Sequence, residues 1–155
     1  MININYYWDE ALAIKSAKEL YDYEFKSSKK RFIGWFFIGL VQFGVVGALK
    51  HNAYGFLVLG TIGVVYWYSI RWPLREYFIK KTFHKSPLAN TTINLIAKED
   101  GIYKGEDLQI SKDHIKDVVK LENGIVVYYM GGNLYFPNKA FKDSDDKKSC
   151  IKLYS

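Results

Sequence analysis

Three histidines, one cysteine and a run of aspartates are the residues of this 155-residue chain best suited to covalent or metal chemistry. His51, His84 and His114 fall in three different segments. No HxH, HExxH or CxxC spacing joins them to each other or to Cys150. A metal centre needs three or four such donors to converge, so the spacing gives a metal no support. Asp143, Asp145 and Asp146 are close enough to suggest a cation loop, but the glycine and distal glutamate of a calcium loop are missing. They read better as a charged helix start. Gly131-Gly132 is not followed directly by a helix, so it reads as a turn and not as a phosphate cradle. GxSxG, P-loop and dinucleotide glycine patterns are absent. Cys150 has Lys147 and Lys148 nearby but no histidine, and it reads as an inert thiol. The expectation is a protein that is not an enzyme, with no cofactor and no metal.

The elements that would carry any function are dominated by two apolar runs, Phe32–Leu49 and Ala53–Ile70, separated by Lys50, His51 and Asn52. Each would give roughly 27 Å of helix at ~1.5 Å per residue, close to a hydrocarbon core of ~30 Å. Neither contains Lys, Arg, Asp or Glu. Backbone groups in lipid must be satisfied internally, so both runs should be helical despite their Val, Ile and Phe. The short link makes them a transmembrane hairpin. Trp35, Tyr54, Trp67, Tyr68 and Trp72 lie near the ends, at headgroup level. The first run follows 31 mostly polar residues with no small-residue cleavage site after it, so it does not read as a cleaved leader. A single cysteine suits a cytoplasmic soluble part.

Charge sets the orientation. Lys26, Lys29, Lys30 and Arg31 precede the first run, and Arg71, Arg75, Lys80, Lys81 and Lys85 follow the second. The link carries only Lys50. By the positive-inside rule both termini are cytoplasmic. Residues 90–155 hold ten Lys and ten Asp or Glu, so the net +6 of the chain sits beside the membrane. That pattern argues against nucleic acid and for membrane lipids as partners. Trp72, Arg75, Phe78, Lys80 and Lys81 are the expected contacts to anionic headgroups. Pro73 predicts a kink or break, and residues 71–89 read as a basic juxtamembrane helix that Pro87 ends.

Inside the runs, Gly44 and Ala48 have small-xxx-small spacing, with Gly47 beside them, and Gly60 and Gly63 share one side of the second helix. Gln42 is the strongly polar side chain of the pair. These six residues are expected to pack helices, in the first place within the hairpin and in the alternative against a second copy or a membrane partner. With no ionisable group in either run, a transporter or proton channel is disfavoured.

The remaining residues form the soluble part. Ile2–Tyr7 alternates and reads as a strand, and Asp9 caps a helix of about Glu10–Tyr23 whose apolar side is Leu12, Ala13, Ala17, Leu20 and Tyr23. That helix should pack on the C-terminal domain or on the membrane surface. From Asn90 the period becomes two, with turns at Asp100-Gly101, Gly105-Glu106-Asp107, Asn123-Gly124 and Gly131-Gly132. Five or six short strands predict an antiparallel meander curled or closed into a small barrel. About 66 residues make a marginal domain, so Ile2–Tyr7 is expected to pair with an edge of its sheet. The layout is thus 1–31, a strand and amphipathic helix; 32–70, the hairpin; 71–89, the basic helix; and 90–155, a β domain with a final helix.

This order resembles the YcxB-like family of bacterial membrane proteins. The basic stretch Lys26–Arg31 before a two-span hairpin, the strand His114-Ile115-Lys116-Asp117-Val118, and Leu134-Tyr135-Phe136-Pro137-Asn138-Lys139-Ala140-Phe141 before the last helix carry the likeness. His114 stands where the family has an aromatic. The resemblance implies a small pleckstrin-homology-like β-barrel capped by a C-terminal helix, in a bacterial cytoplasmic membrane, and no established chemistry. The expected fold is therefore an α+β membrane protein, and the expected function is non-catalytic presentation of the β domain for protein or lipid-headgroup binding. The alternative is an immunity protein that neutralises a co-encoded membrane-acting toxin.

Overall fold

Alternation at Ile2, Ile4 and Tyr6 produces strand β1 (Ile2–Trp8), which buries those three side chains and exposes Asn3, Asn5 and Tyr7. The computed structural model describes residues 1–155 and divides them into two compact units, Met1–Tyr21 with Phe83–Ser155, and Asp22–Thr82. β1 belongs with the C-terminal strands. It pairs antiparallel with β2 (Thr91–Lys98), from Ile2 opposite Ala97 to Trp8 opposite Thr91. The expected pairing of the N-terminal strand with an edge is thus present.

Two antiparallel sheets make up this β unit. The first runs β1-β2-β3-β4, with β3 at Gly101–Lys104 and β4 at Asp107–Ser111. The second runs β5-β6-β7, with β5 at Ile115–Lys120, β6 at Gly124–Tyr129 and β7 at Gly132–Pro137. Of the curled or closed barrel expected from sequence, the closed form is absent, because the strands form two separate antiparallel sheets without a ladder that joins them into one. A short helical turn at Lys112–His114 stands between β4 and β5, and it takes His114 out of the strand predicted to start there.

The sheets nevertheless share one core. Ile4, Leu95 and Ile102 of the first sheet lie with Ile125, Val127 and Phe136 of the second, and Cys150 and Tyr154 of the last helix join them. That helix, α5 (Ser144–Tyr154), starts where the aspartates suggested. Asp143 Oδ1 accepts from the amides of Asp145 and Asp146, which satisfies two of the donors a helix start leaves open. At its far end the Tyr154 hydroxyl reaches the carbonyl oxygens of Lys98 and Gly101, both at 2.8 Å.

β6 is buried over four consecutive residues, Gly124–Val127. Its apolar run has no alternation because both of its faces are covered. Ile125 and Val127 face the shared core, while Val126 meets Leu121, Tyr135 and Leu20 of helix α1 (Glu10–Ser27). α1 begins under its predicted cap, with the Leu12 amide 2.7 Å from Asp9 Oδ1. It buries Ala13, Ser16 and Leu20, whereas Tyr23, expected on the apolar face, is exposed. Glu19 fastens the helix to the sheet. Its carboxylate accepts from the Asn123 amide at 3.3 Å, from the Asn123 side chain and from the Tyr135 hydroxyl at 3.2 Å. The Asn123-Gly124 turn is present, but Gly124 does not take a positive φ. It is glycine because an added Cβ would strike the Phe136 carbonyl and the Tyr135 ring.

The second unit is helical. A short turn at Lys29–Arg31 leads into α2 (Phe32–His51). Asn52, in the left-handed region at φ 52°, ends it. α3 (Gly55–Val65) follows and passes through a π-helical segment, Tyr66–Ile70, into α4 (Arg71–Phe83). Of the kink or break expected at Pro73, no break occurs: the helix continues through Pro73, and a widened π turn precedes it. Proline cannot donate to the carbonyl of residue 69 and crowds it, and the π segment just upstream loosens the coil, with the Arg71 amide bonding back to Tyr66 O.

Candidate functional site

The hairpin is built from its glycines. A Cβ placed on Gly44 would strike the Leu57 backbone, one on Gly60 would lie 2.7 Å from the Val41 nitrogen, and one on Gly63 would strike the Phe37 ring. Gly34 faces Tyr68 and Trp67, and Gly47 faces Ala53 at 3.3 Å. Ascending positions on α2 thus meet descending positions on α3 and the π segment, so the helices run antiparallel and in close backbone contact. Gly44, Gly60 and Gly63 are buried in that contact, and Gly47 and Ala48 are half-buried. Gln42 is exposed, outside the seam. The Thr61 hydroxyl, also exposed, bonds to its own helix at Leu57 O, 2.7 Å away.

The seam is small, and the outward surface is apolar. Lys29–His51 is long and apolar enough to cross a membrane, and only 11% of its 18-residue apolar stretch is buried. Phe43 is 75% exposed, Phe36 63% and Leu49 82%, matched on the other strand of the hairpin by Phe56, Leu59 and Ile62. A core helix of a water-soluble protein would bury such residues. The second run differs from the sequence reading in one respect. Its α-helical part covers only the eleven residues Gly55–Val65, the π segment carrying the apolar stretch onward to Ile70.

The five residues assigned to lipid headgroups lie on α4 but do not share a face. At 100° per residue Trp72, Glu76, Ile79 and Phe83 form the more buried side. Lys80 turns toward it and pairs with Glu76 at 2.7 Å. The Lys80 side chain, then Trp72, hold the Glu76 carboxyl below its ordinary range. Arg75, Phe78 and Lys81 are exposed on the other flanks, near the exposed Leu74 and Tyr77. The structure therefore brings together Trp72, Glu76 and Lys80 as one group and leaves Arg75, Phe78 and Lys81 outward. Arg71, which the sequence reading assigned only to orientation, lies over the Trp67 ring at 4.2 Å.

The residues first considered for chemistry are dispersed. His51 ends α2, exposed, and His114 is exposed in the turn before β5. His84 Nε2 lies 3.1 Å from Glu10 Oε2. Cys150 is wholly buried in the shared core, where burial pushes its thiol up to about 12. The fold and these surfaces define an α+β protein composed of an antiparallel helical hairpin with an apolar exterior and a two-sheet β unit. Comparison with family models, with curated proteins and with solved structures returns no match to this chain.

Proposed function

We propose that this chain is a non-catalytic integral membrane protein. In this reading α2 and the run from α3 through the π segment cross a bacterial cytoplasmic membrane, and the β unit stands on the cytoplasmic side to bind a protein or a lipid headgroup. The observation that carries it is the exposed apolar exterior around a glycine seam, a surface suited to lipid and unsuited to water. Both chain ends of the hairpin leave at the same end, because Gly34 lies against Trp67 and Tyr68. The basic residues Lys26–Arg31 and Arg71–Lys85 flank that end in sequence, which is the cytoplasmic signature. Arg75, Phe78 and Lys81 are the headgroup contacts in this reading, and Lys80 is assigned to Glu76 instead.

The β unit is read as pleckstrin-homology-like. Four strands and three strands around one core with a C-terminal helix support this, as does the YcxB-like pattern of its β7 run. Cysteine mapping tests the whole reading, with buried Cys150 as a silent background. In intact cells an impermeant maleimide should label Asn52→Cys and spare Lys142→Cys until the membrane is opened. Recovery of the chain in the salt-washed soluble fraction, or the opposite labelling order, would overturn it.

A further inference from the structure

The Tyr154 hydroxyl holds α5 to the Lys98 end of β2, and Phe141, Cys150 and Tyr154 all belong to the core that the two sheets share. At the other end of β2 a cavity of about 370 Å³ opens between Ile93 and Leu95 on one side and Tyr129 and Leu134 on the other. Leu95 belongs to the shared core and Ile93, Tyr129 and Leu134 are half-buried against it, so the cavity lies at the margin of the core. Protein interiors leave few voids larger than a water molecule, and an apolar lining without neighbours forfeits its dispersion contacts. The volume falls within the ~300–1,000 Å³ range of small-molecule sites.

Lys104, Gln109, Thr91 and Thr92 bring polar side chains to the lining of the cavity. Lys104 is its one charged lining residue and stands two positions beyond core-facing Ile102, on the same face of β3. Its cross-strand neighbour Asp107 is exposed and does not line the cavity. Gln109 arrives by a β-bulge. Ile102 pairs with Ile110 and Tyr103 with Leu108, which leaves Gln109 as the extra residue. Gln109 lines the cavity together with Ile110. The lining thus combines one cation and one amide with two threonine hydroxyls of β2.

We propose that this cavity binds a single-chain anionic amphiphile, a medium-chain fatty acid, with the alkyl chain between the sheets and the carboxylate at Lys104 and Gln109. Taking a methylene as about the size of a water, ~30 Å³, there is room for a chain on the order of ten carbons. The idea rests on the membrane reading only for the supply of ligand.

The full chain reconstituted in phosphatidylcholine vesicles, with trace diazirine-bearing decanoate, tests this by photo-crosslinking and peptide mapping. Decanoate should label peptides containing Ile93 and Leu134. Phosphatidylcholine carrying the same diazirine on an acyl chain should label only α2 and α3. Leu134→Trp, which fills the cavity, should cut cavity labelling about tenfold and leave helix labelling intact. Lys104→Gln should cut it about threefold or more, the scale of an exposed ion pair, and Lys112→Gln should not. Absence of cavity labelling, equal labelling by both probes, or indifference to both Leu134→Trp and Lys104→Gln would overturn the proposal. Failure of the membrane reading appears separately, as helices that neither probe labels.

Discussion

Replacing single glycines of the hairpin by alanine should give effects of opposite sign at Gly39 and Gly60. Alanine in a helix interior is favoured over glycine by about 0.5–1 kcal/mol, because the unfolded glycine has more freedom to lose. At Gly39 nothing lies within 4 Å of an added Cβ, so Gly39→Ala should stabilise the hairpin by about that amount. At Gly60 the added carbon would sit 2.7 Å from the Val41 nitrogen and 3.0 Å from the Leu40 carbonyl carbon. Those are backbone atoms, and they can move only if the two helices separate. Overpacking of this kind costs about 1–3 kcal/mol, which outweighs the gain in propensity. The expected difference between the two variants is roughly 2 kcal/mol, about 30-fold in the unfolding equilibrium. Unfolding in detergent micelles by dodecyl sulfate, followed by tryptophan fluorescence, reads it, because Trp35 and Trp67 lie on the hairpin. Val41→Ala should not rescue Gly60→Ala, since the nearest obstacle is main chain. Equal shifts in the two variants, or stabilisation at Gly60, would refute the seam.

The β unit yields three further outcomes. Glu19→Ala should destabilise it by about 2–3 kcal/mol in chemical denaturation, since the Asn123 amide, the Asn123 side chain and the Tyr135 hydroxyl all lose their acceptor. Tyr135 is raised above the usual tyrosine range first by burial and then by Glu19, so Glu19→Gln should lower its midpoint in an alkaline ultraviolet titration without restoring the ordinary value. Burial also raises Cys150 and Tyr6, each to about 12. A raised folded-state value means that stability is full below the unfolded values, near 9 for the thiol and 10 for the phenol, and is lost as pH climbs toward 12. Denaturation midpoints should therefore fall from pH 9 upward, and Cys150→Ala should flatten the slope between pH 9 and 10; a slope unchanged by that substitution would contradict the assignment.

Local signals carried much of the fold. Asp9 and Asp143 marked helix starts because a carboxylate before an apolar or charged run satisfies free amides. The nearly continuous apolar run Ile125–Met130 signals a strand, but only the fold shows that both faces of β6 are covered, the second by α1. Pairing of Ile2–Tyr7 with the C-terminal sheet followed from the hairpin's returning the chain. What was not legible depended on contacts distant in sequence or on backbone detail. Nothing near Glu19 points to Asn123, 104 positions away. The bulge at Gln109 and the separation of the strands into two sheets arise from register, which alternation alone does not specify. The scattering of Trp72, Arg75, Phe78, Lys80 and Lys81 was readable, since 100° steps place Lys80 beside Glu76 and away from Phe78. Counting basic and aromatic residues along the chain, without winding them onto a helix, obscured it.

The pairing of β1 with β2 also has a consequence in time. The first strand leaves the ribosome roughly 90 residues before its partner. At about 5–20 residues per second it waits some seconds with no sheet to join. During that interval the helical hairpin is completed, so the order of synthesis places hairpin assembly ahead of closure of the first sheet. Ile2, Ile4 and Tyr6 meanwhile form a short apolar segment with an unpaired edge, the kind of element that associates with other chains when left waiting. Its alternating Asn3 and Asn5 are the features that restrain this, and their replacement by Val should show first as aggregation during expression, before any change in the stability of the finished protein.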